Sequence, residues 1–242
     1  MSPRRRSVSK SSGKQASATK PRKAVAKQRP KKTRARKVTT KQPIRETAPA
    51  LAQAERCFWA ASDPLLGSYH DQEWGVPVHD DRHWFEKLIL DGAQAGLSWL
   101  TILRKRDAYR EAYLNFDPQK VAGFDARDEA RLLANAGIVR NGAKIRSSVR
   151  NARAFLEIQA EHGSFDAYIW KFVEGKPLQP KPGHRGAIPA RTALSDRISA
   201  DLKKRGFSFV GSTIVYAFMQ AAGLVNDHTT DCSRHAHVAR LK

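Results

Sequence analysis

Leu132-Leu133-Ala134-Asn135-Ala136-Gly137-Ile138-Val139-Arg140-Asn141-Gly142-Ala143-Lys144-Ile145 reads as the end of one helix, a glycine-flanked hairpin and the start of a second helix. Glycines let the backbone come close to a partner, and the start of the following helix offers unpaired N–H groups and the positive end of a dipole. Arg140, Lys144 and Arg146 add positive charge to the same segment. A helix-hairpin-helix unit of this kind grips one DNA strand through its phosphates, which positions a protein without reading sequence. Gly137, Arg140, Gly142 and Lys144 are the candidate DNA contacts. An ordinary tight turn between two helices uses the same residues, so both readings stand on this segment alone.

Working outward, the chain stays helical from Arg56 onward, with no convincing period-two strand. Trp84, Phe85, Leu88 and Ile89 fall on one helix face, and Trp99 to Leu103 begins another apolar stripe. Asp117-Pro118 has the form of an N-cap followed by the first helical residue, and Asp125 is placed to cap a helix over 126–135. A long helix follows from about Ala143 to Glu161, ending at Gly163, and Ser164 caps the next. Residues 175–191, rich in proline and glycine, read as a loop. Ser195 is placed to cap a helix ending at Gly206, and Thr213–Ala222 forms a last apolar helix ending at Gly223. The expected fold is a single all-α domain over residues 55–242.

Charge divides the chain differently. The 242 residues carry 44 Lys and Arg against 23 Asp and Glu, a net charge of +21. Residues 1–50 hold 17 of those bases against one acid, Glu46, and residues 1–54 contain no aromatic side chain. Such a segment buries too little apolar surface to offset its ordering entropy, so 1–54 is expected to be a disordered tail. A polycationic arm releases counterions from nucleic acid, which is its expected use; a solvated extension with no task is the alternative. An organelle transit peptide fits less well, because the tail lacks an amphipathic pattern. No apolar run is long enough to span a membrane, and the first 50 residues lack the apolar stretch of a secretory signal.

The two cysteines each have a histidine at metal-ligand spacing: Cys57 with His70, and His228 with Cys232. Thiolates and neutral imidazoles in a Cys2His2 set suit tetrahedral zinc, which here would fasten the two ends of the domain together. A Cys57–Cys232 disulfide and two unrelated buried thiols are the alternatives, and a reducing compartment disfavours the disulfide.

Two further segments mix rings with carboxylates: Ser68-Tyr69-His70-Asp71-Gln72-Glu73-Trp74-Gly75-Val76-Pro77 and Leu90-Asp91-Gly92-Ala93-Gln94-Ala95-Gly96-Leu97-Ser98-Trp99. Together they supply an aromatic floor (Tyr69, Trp99), a carboxylate (Asp91) and a protruding apolar residue (Leu97). A flat cationic ligand suits such a pocket through stacking, cation–π attraction and ion pairing. Taken singly, Trp59, Trp74 and Trp99 read as core residues and Asp91 as a helix cap. Only their clustering favours a site.

The runs Glu55-Arg56-Cys57, Tyr69-His70-Asp71, Glu73-Trp74-Gly75-Val76-Pro77, Gln94-Ala95-Gly96-Leu97-Ser98-Trp99, Lys204-Arg205-Gly206-Phe207, Phe209-Val210-Gly211 and Gly223-Leu224-Val225-Asn226-Asp227-His228 resemble 3-methyladenine DNA glycosylase I. These motifs span nearly all of residues 55–232. The resemblance implies a helix-hairpin-helix glycosylase fold and one structural zinc ion held by Cys57, His70, His228 and Cys232. It implies that Tyr69 and Trp99 sandwich an extruded base, with Trp59 and Trp74 nearby, and that Leu97 lies on the loop approaching the gap in the DNA. Asp91 takes the catalytic position, hydrogen-bonding the base and favouring its charge. The implied reaction is monofunctional hydrolysis of the N-glycosidic bond of 3-methyladenine in alkylated double-stranded DNA, by a monomer. The family is mostly bacterial, so a cytoplasmic, nucleoid-associated protein is expected.

The chain departs from the family pattern at Asp91, where familiar members carry glutamate, and at Leu66, where some carry an aromatic. The first change shortens the carboxylate by one methylene, which leaves a slightly closed pocket or a bridging water as ways to reach the base. Two rival readings follow: a glycosylase retuned to another alkylated purine, and a non-catalytic zinc-stabilised DNA-binding module.

Overall fold

A computed structural model describes residues 55–179 and 188–241, and the expected basic tail lies outside them. Among the described residues the secondary structure is helical; the one strand-like pairing is an isolated parallel bridge between Leu178 and Val225. After a 3-10 turn (Phe58–Ser62) come α1 (Pro64–Gln72), α2 (Asp81–Gln94), α3 (Trp99–Leu103), α4 (Arg106–Ala112), α5 (Pro118–Ala122) and α6 (Ala126–Ala134). Then follow α7 (Gly142–His162), α8 (Phe165–Trp170), α9 (Ala193–Lys204), α10 (Ser212–Ala221) and α11 (Ser233–Val238).

The boundaries follow from capping chemistry. The Asp117 carboxylate accepts from the backbone of Gln119 and Lys120, and Pro118 opens α5. Asp125 and Asp128 form a reciprocal box at the start of α6. Asn141 caps α7 by accepting the Lys144 N–H at 3.1 Å. One boundary differs from the sequence reading. Thr192, not Ser195, is the N-cap of α9: its hydroxyl accepts from the Ser195 backbone at 3.1 Å, and the Ser195 hydroxyl accepts from the Thr192 N–H at 2.8 Å. Ser195 is thus the third helical residue of a capping box, a role a hydroxyl fills as well as a carboxamide does.

Helix α2 lies at the centre, packing on α3, α7, α8 and α10. Its expected stripe of Trp84, Phe85, Leu88 and Ile89 is buried, and truncating a ring such as Phe85 to alanine costs roughly 3–5 kcal/mol. Asp81 ties its start to α8, accepting from the Phe165 and Asp166 backbones, each at 2.9 Å. Two residues depart from the amphipathic pattern, because Lys87 and Asp91 on this helix are also buried. The Ser233 N–H donates to the Glu55 carbonyl at 3.0 Å, which brings the first and last parts of the folded region together.

Candidate active site and metal centre

A cavity of about 220 Å³ opens between α1, α2, α3 and α10. Trp59, Tyr69, Trp74, Asp91 and Trp99 all line it, as do Gln94, Ile188, Ala217, Gln220 and Ala221. Its walls are therefore the two ring-and-carboxylate segments of the sequence, brought together by the packing of α1 on α3 and of α2 on α10. The rings meet at angles: Trp59 and Trp74 edge to face with centroids 5.0 Å apart, and Tyr69 and Trp99 tilted at 52° with centroids 5.4 Å apart. A planar base held between two parallel rings needs about 7 Å from ring to ring. The expected sandwich is thus not preformed; Tyr69 and Trp99 make a corner against which one face of a base can lie.

The polar groups of the cavity are unusual for their isolation. Asp91 is only 3% exposed, and neither its Oδ2 nor the indole Nε1 of Trp99 has a hydrogen-bond partner among the described residues. A buried polar atom left unpaired costs roughly 1–3 kcal/mol, so an acceptor and a donor both orphaned in one cavity suit a ligand that satisfies both. Burial raises the Asp91 carboxyl to about 7, against the opposing pull of the Lys87 ammonium. Burial, with the charges of Asp91 and Glu73, likewise holds the Tyr69 phenol protonated well above its ordinary range.

Beside the cavity the two Cys/His pairs converge. The ligating atoms of Cys57, His70, His228 and Cys232 all lie within 4.8 Å of one another, and all four residues are buried. Both cysteines are free thiols, so the disulfide alternative does not hold in this structure. Cys57 Sγ lies 3.6 Å from His228 Nδ1, Cys232 Sγ 3.4 Å from His70 Nε2 and 3.6 Å from His228 Nδ1, and the two imidazole nitrogens are 3.2 Å apart. The edges of a tetrahedron built on zinc–sulfur and zinc–nitrogen bond lengths are about 3.3–3.8 Å, close to these separations. The outer nitrogens are also engaged: His70 Nδ1 meets Asp71 Oδ1 at 2.8 Å, and His228 Nε2 meets the Trp74 carbonyl at 3.0 Å. Such partners orient metal-bound imidazoles and select their tautomer. Hydrogen bonding from Cys57, and from both histidines, favours the Cys232 thiolate.

A family model for methyladenine glycosylase matches residues 59–235. The chain belongs to the methyladenine glycosylase family. DNA-3-methyladenine glycosylase 1 of Escherichia coli K12 is 48% identical over 178 residues, covering 74% of this chain and 95% of that protein. The DNA-3-methyladenine glycosylase of Haemophilus influenzae is 45% identical over 177 residues, covering 73% and 96%. A crystal structure of 3-methyladenine DNA glycosylase I superposes with a TM-score of 0.72 at 49% identity, over 75% of this chain and all of that one. The Staphylococcus aureus enzyme, solved to define how it recognises 3-methyladenine, superposes with a TM-score of 0.71 at 39% identity, over 74% of this chain and 95% of that one.

The residues proposed from sequence to touch DNA differ in their freedom. Leu97 is 41% exposed at the tip of the turn between α2 and α3, where Gly96 takes a φ of +76°. Arg140 is exposed in the hairpin. Gly137 is required sterically: a Cβ there would sit 2.8 Å from that of Ala108 and 2.9 Å from the Asn135 carboxamide oxygen. Lys144 departs from expectation, because its ammonium donates inward to the carbonyls of Ala93 at 2.8 Å and Ala95 at 2.6 Å. Two of its three N–H donors are thus spent on capping the end of α2. Arg146 is likewise engaged, paired with Glu129.

Sequence reasoning missed several cavity residues. Ile188, Ala217, Gln220 and Ala221 carry no chemical signature and reach the cavity only through tertiary packing. Lys87 was also missed, although its position inside the apolar stripe of α2 was the available signal.

Proposed function

We propose that this protein is a monofunctional glycosylase that excises 3-methyladenine from alkylated double-stranded DNA. The observation that carries the reading is that one aromatic cavity with room for one base holds both an orphaned Asp91 carboxylate oxygen and the orphaned Trp99 indole N–H. Methylation at N3 puts positive charge on the purine and weakens its bond to the sugar. An enzyme for this lesion therefore works chiefly by extruding the base and holding it in an electron-rich pocket. The base lies against the Tyr69 and Trp99 rings, with Trp59 and Trp74 behind, and Asp91 accepts a hydrogen bond from its polar edge. Water then bonds to C1′ as the C1′–N9 bond breaks. The electron pair leaves with the base, which departs neutral, and the water proton is lost to solvent. An abasic site remains, with no covalent enzyme intermediate. Damaged bases cost less to unpair, which adds to selectivity.

The segment joining α6 to α7 serves in this reading as a helix-hairpin-helix grip on one strand, through Gly137, Gly142 and Arg140, while Leu97 enters the gap left by the base. Cys57, His70, His228 and Cys232 would hold one zinc ion, which would supply cross-linking of the domain ends and no chemistry, since four protein ligands leave no position for water. Residues 1–54 serve as a counterion-releasing arm, and their removal should flatten the salt dependence of nonspecific binding. No helix among the described residues is long and apolar enough to cross a membrane. A monomer working at the chromosome, in the cytoplasm of a bacterium, completes the proposal.

Asp91 supports one second reading, a pocket retuned to a different alkylated purine, because the shortened carboxylate meets the base edge differently. Chromatography of bases released from methylated duplex DNA, by wild type and Asp91→Asn side by side, tests both. Release of 3-methyladenine, lost in the variant, is the expected result. Release of another purine establishes the second reading, and no release at all leaves a binding module.

A further inference from the structure

Lys87 is 3% exposed, on the helix that carries the candidate catalytic carboxylate. It precedes Asp91 by four residues, so both side chains leave one face of α2, a turn apart. Its ammonium sits 5.6 Å from the centroid of the Tyr69 ring, behind an aromatic wall of the cavity. A lysine is almost never buried without a partner.

The charges around it are distributed unevenly. Arg106, from α4, donates to both oxygens of Glu73 at 2.8 and 2.7 Å and to Glu86 at 2.6 Å, and Glu86 also takes Arg110 at 2.9 Å. Two carboxylates and two guanidiniums thus satisfy one another. Lys87 forms no hydrogen bond or ion pair with any of these groups; it feels the charge of Glu73 and, one turn along its own helix, that of Asp91, the carboxylate no guanidinium holds.

We propose that Lys87 is a positioning residue for base excision, an internal counter-ion that favours the carboxylate form of Asp91 in the empty pocket and so readies it for a cationic base. The role rests on the glycosylase reading above and adds a specific cation to it. Without Lys87, burial alone would leave the Asp91 carboxyl protonated at neutral pH, and each productive encounter would first require a proton to leave. The other ionisable groups facing Lys87 are His83 and Glu86 on its own helix, Glu73 just after α1, Tyr69 on α1 and Arg106 on α4. Burial holds His83 below the ordinary imidazole range, and Arg106 with Arg110 holds Glu86 below the ordinary carboxylate range, so both titrate more acidic than Asp91.

Lys87→Met tests the proposal, since methionine fills similar space without charge. Two readouts are taken across pH 5–9: kcat/KM for excision from methylated duplex, and affinity for free 3-methyladenine by quenching of the cavity tryptophans. The acidic limb of both profiles is expected to move up by about one pH unit, with wild-type values recovered above it. In an Asp91→Asn background, where excision is lost, Lys87→Met should leave the pH profile of affinity for free 3-methyladenine unchanged. An unmoved limb in a folded variant overturns the counter-ion role, as does a loss equal at every pH, which would mark Lys87 as merely structural. If Lys87→Met does not fold, carboxyl NMR of Asp91 in the wild type, titrated together with the Lys87 ammonium, decides whether the two interact. If wild type releases no 3-methyladenine, the glycosylase reading fails, while the tryptophan and NMR titrations still judge the Lys87–Asp91 pair.

Discussion

The ammonium of Lys144 donates to the carbonyl of Ala95 at 2.6 Å, joining the first turn of α7 to the end of α2. The same ammonium holds the Ala93 carbonyl, two residues beyond Asp91. The hairpin segment is therefore mechanically linked to the loop that carries Leu97 and to the helix that carries the carboxylate. Burial lowers the affinity of Lys144 for its proton.

Lys144→Met should accordingly act on the cavity loop and not as the loss of a phosphate contact. It leaves two carbonyls without their donor, at a cost of roughly 1–3 kcal/mol in stability. A thermal melt should report that loss, while the salt slope of DNA binding stays unchanged. A slope reduced by about one would instead make Lys144 a phosphate ligand.

Asp91 predicts the pH dependence. The profile of kcat/KM reports groups in the free enzyme, so excision should rise with pH through about 7 as the carboxylate forms. Asp91→Asn, which loses excision, should lack the matching limb in its affinity for free 3-methyladenine. The same shift carries a stability effect of opposite sense. The folded chain holds the Asp91 proton more tightly than the unfolded chain, so this stabilisation is present below the unfolded value of 3.8 and is lost as pH rises through about 7. Asp91→Asn should therefore melt above wild type at pH 8 and show less advantage at pH 5.

The Cys2His2 cluster predicts one zinc ion per chain in protein purified without chelator. Its removal should lower thermal stability well before excision by the protein that remains folded is affected, since binding energy at such sites is folding energy. Cys232→Ala should lose the metal and much of the stability together. Elemental analysis with paired melts measures both, and absence of zinc from the native protein would refute the assignment.

Gly223, two residues beyond the cavity residue Ala221, predicts a structural failure. Its φ is +75°, and a Cβ there would overlap the Pro77 nitrogen and lie 2.5 Å from the Val76 carbonyl carbon, both backbone atoms that cannot turn aside. Gly223→Ala should cost at least about 2–3 kcal/mol, seen as a fall in the denaturant midpoint.

Much of this molecule is legible before folding. Caps at Asp117, Asp125 and Ser164 act within three residues of themselves, so local chemistry alone marks α5, α6 and α8. The Cys57/His70 and His228/Cys232 pairs were visible because thiols and imidazoles are scarce and their spacing is restrictive. Thr192 and Ser195 can both cap, and only backbone conformation decides between them.

The sequence by itself determined which chemistry the chain carries: an all-helical pattern, a basic tail, four ligands suited to zinc, and rings with a carboxylate at the α1 and α2–α3 segments. Those properties belong to side chains and their near neighbours along the chain. Tertiary structure alone decided which charges face each other. Whether Lys144 reaches outward or meets the Ala95 carbonyl, and whether Lys87 meets water or the Tyr69 ring, depends on how the helices seat against α2. Burial turns an ordinary aspartate into a group that titrates near neutrality, and burial is a property of the packed helices, since the neighbours that exclude water come from elements far apart in the chain.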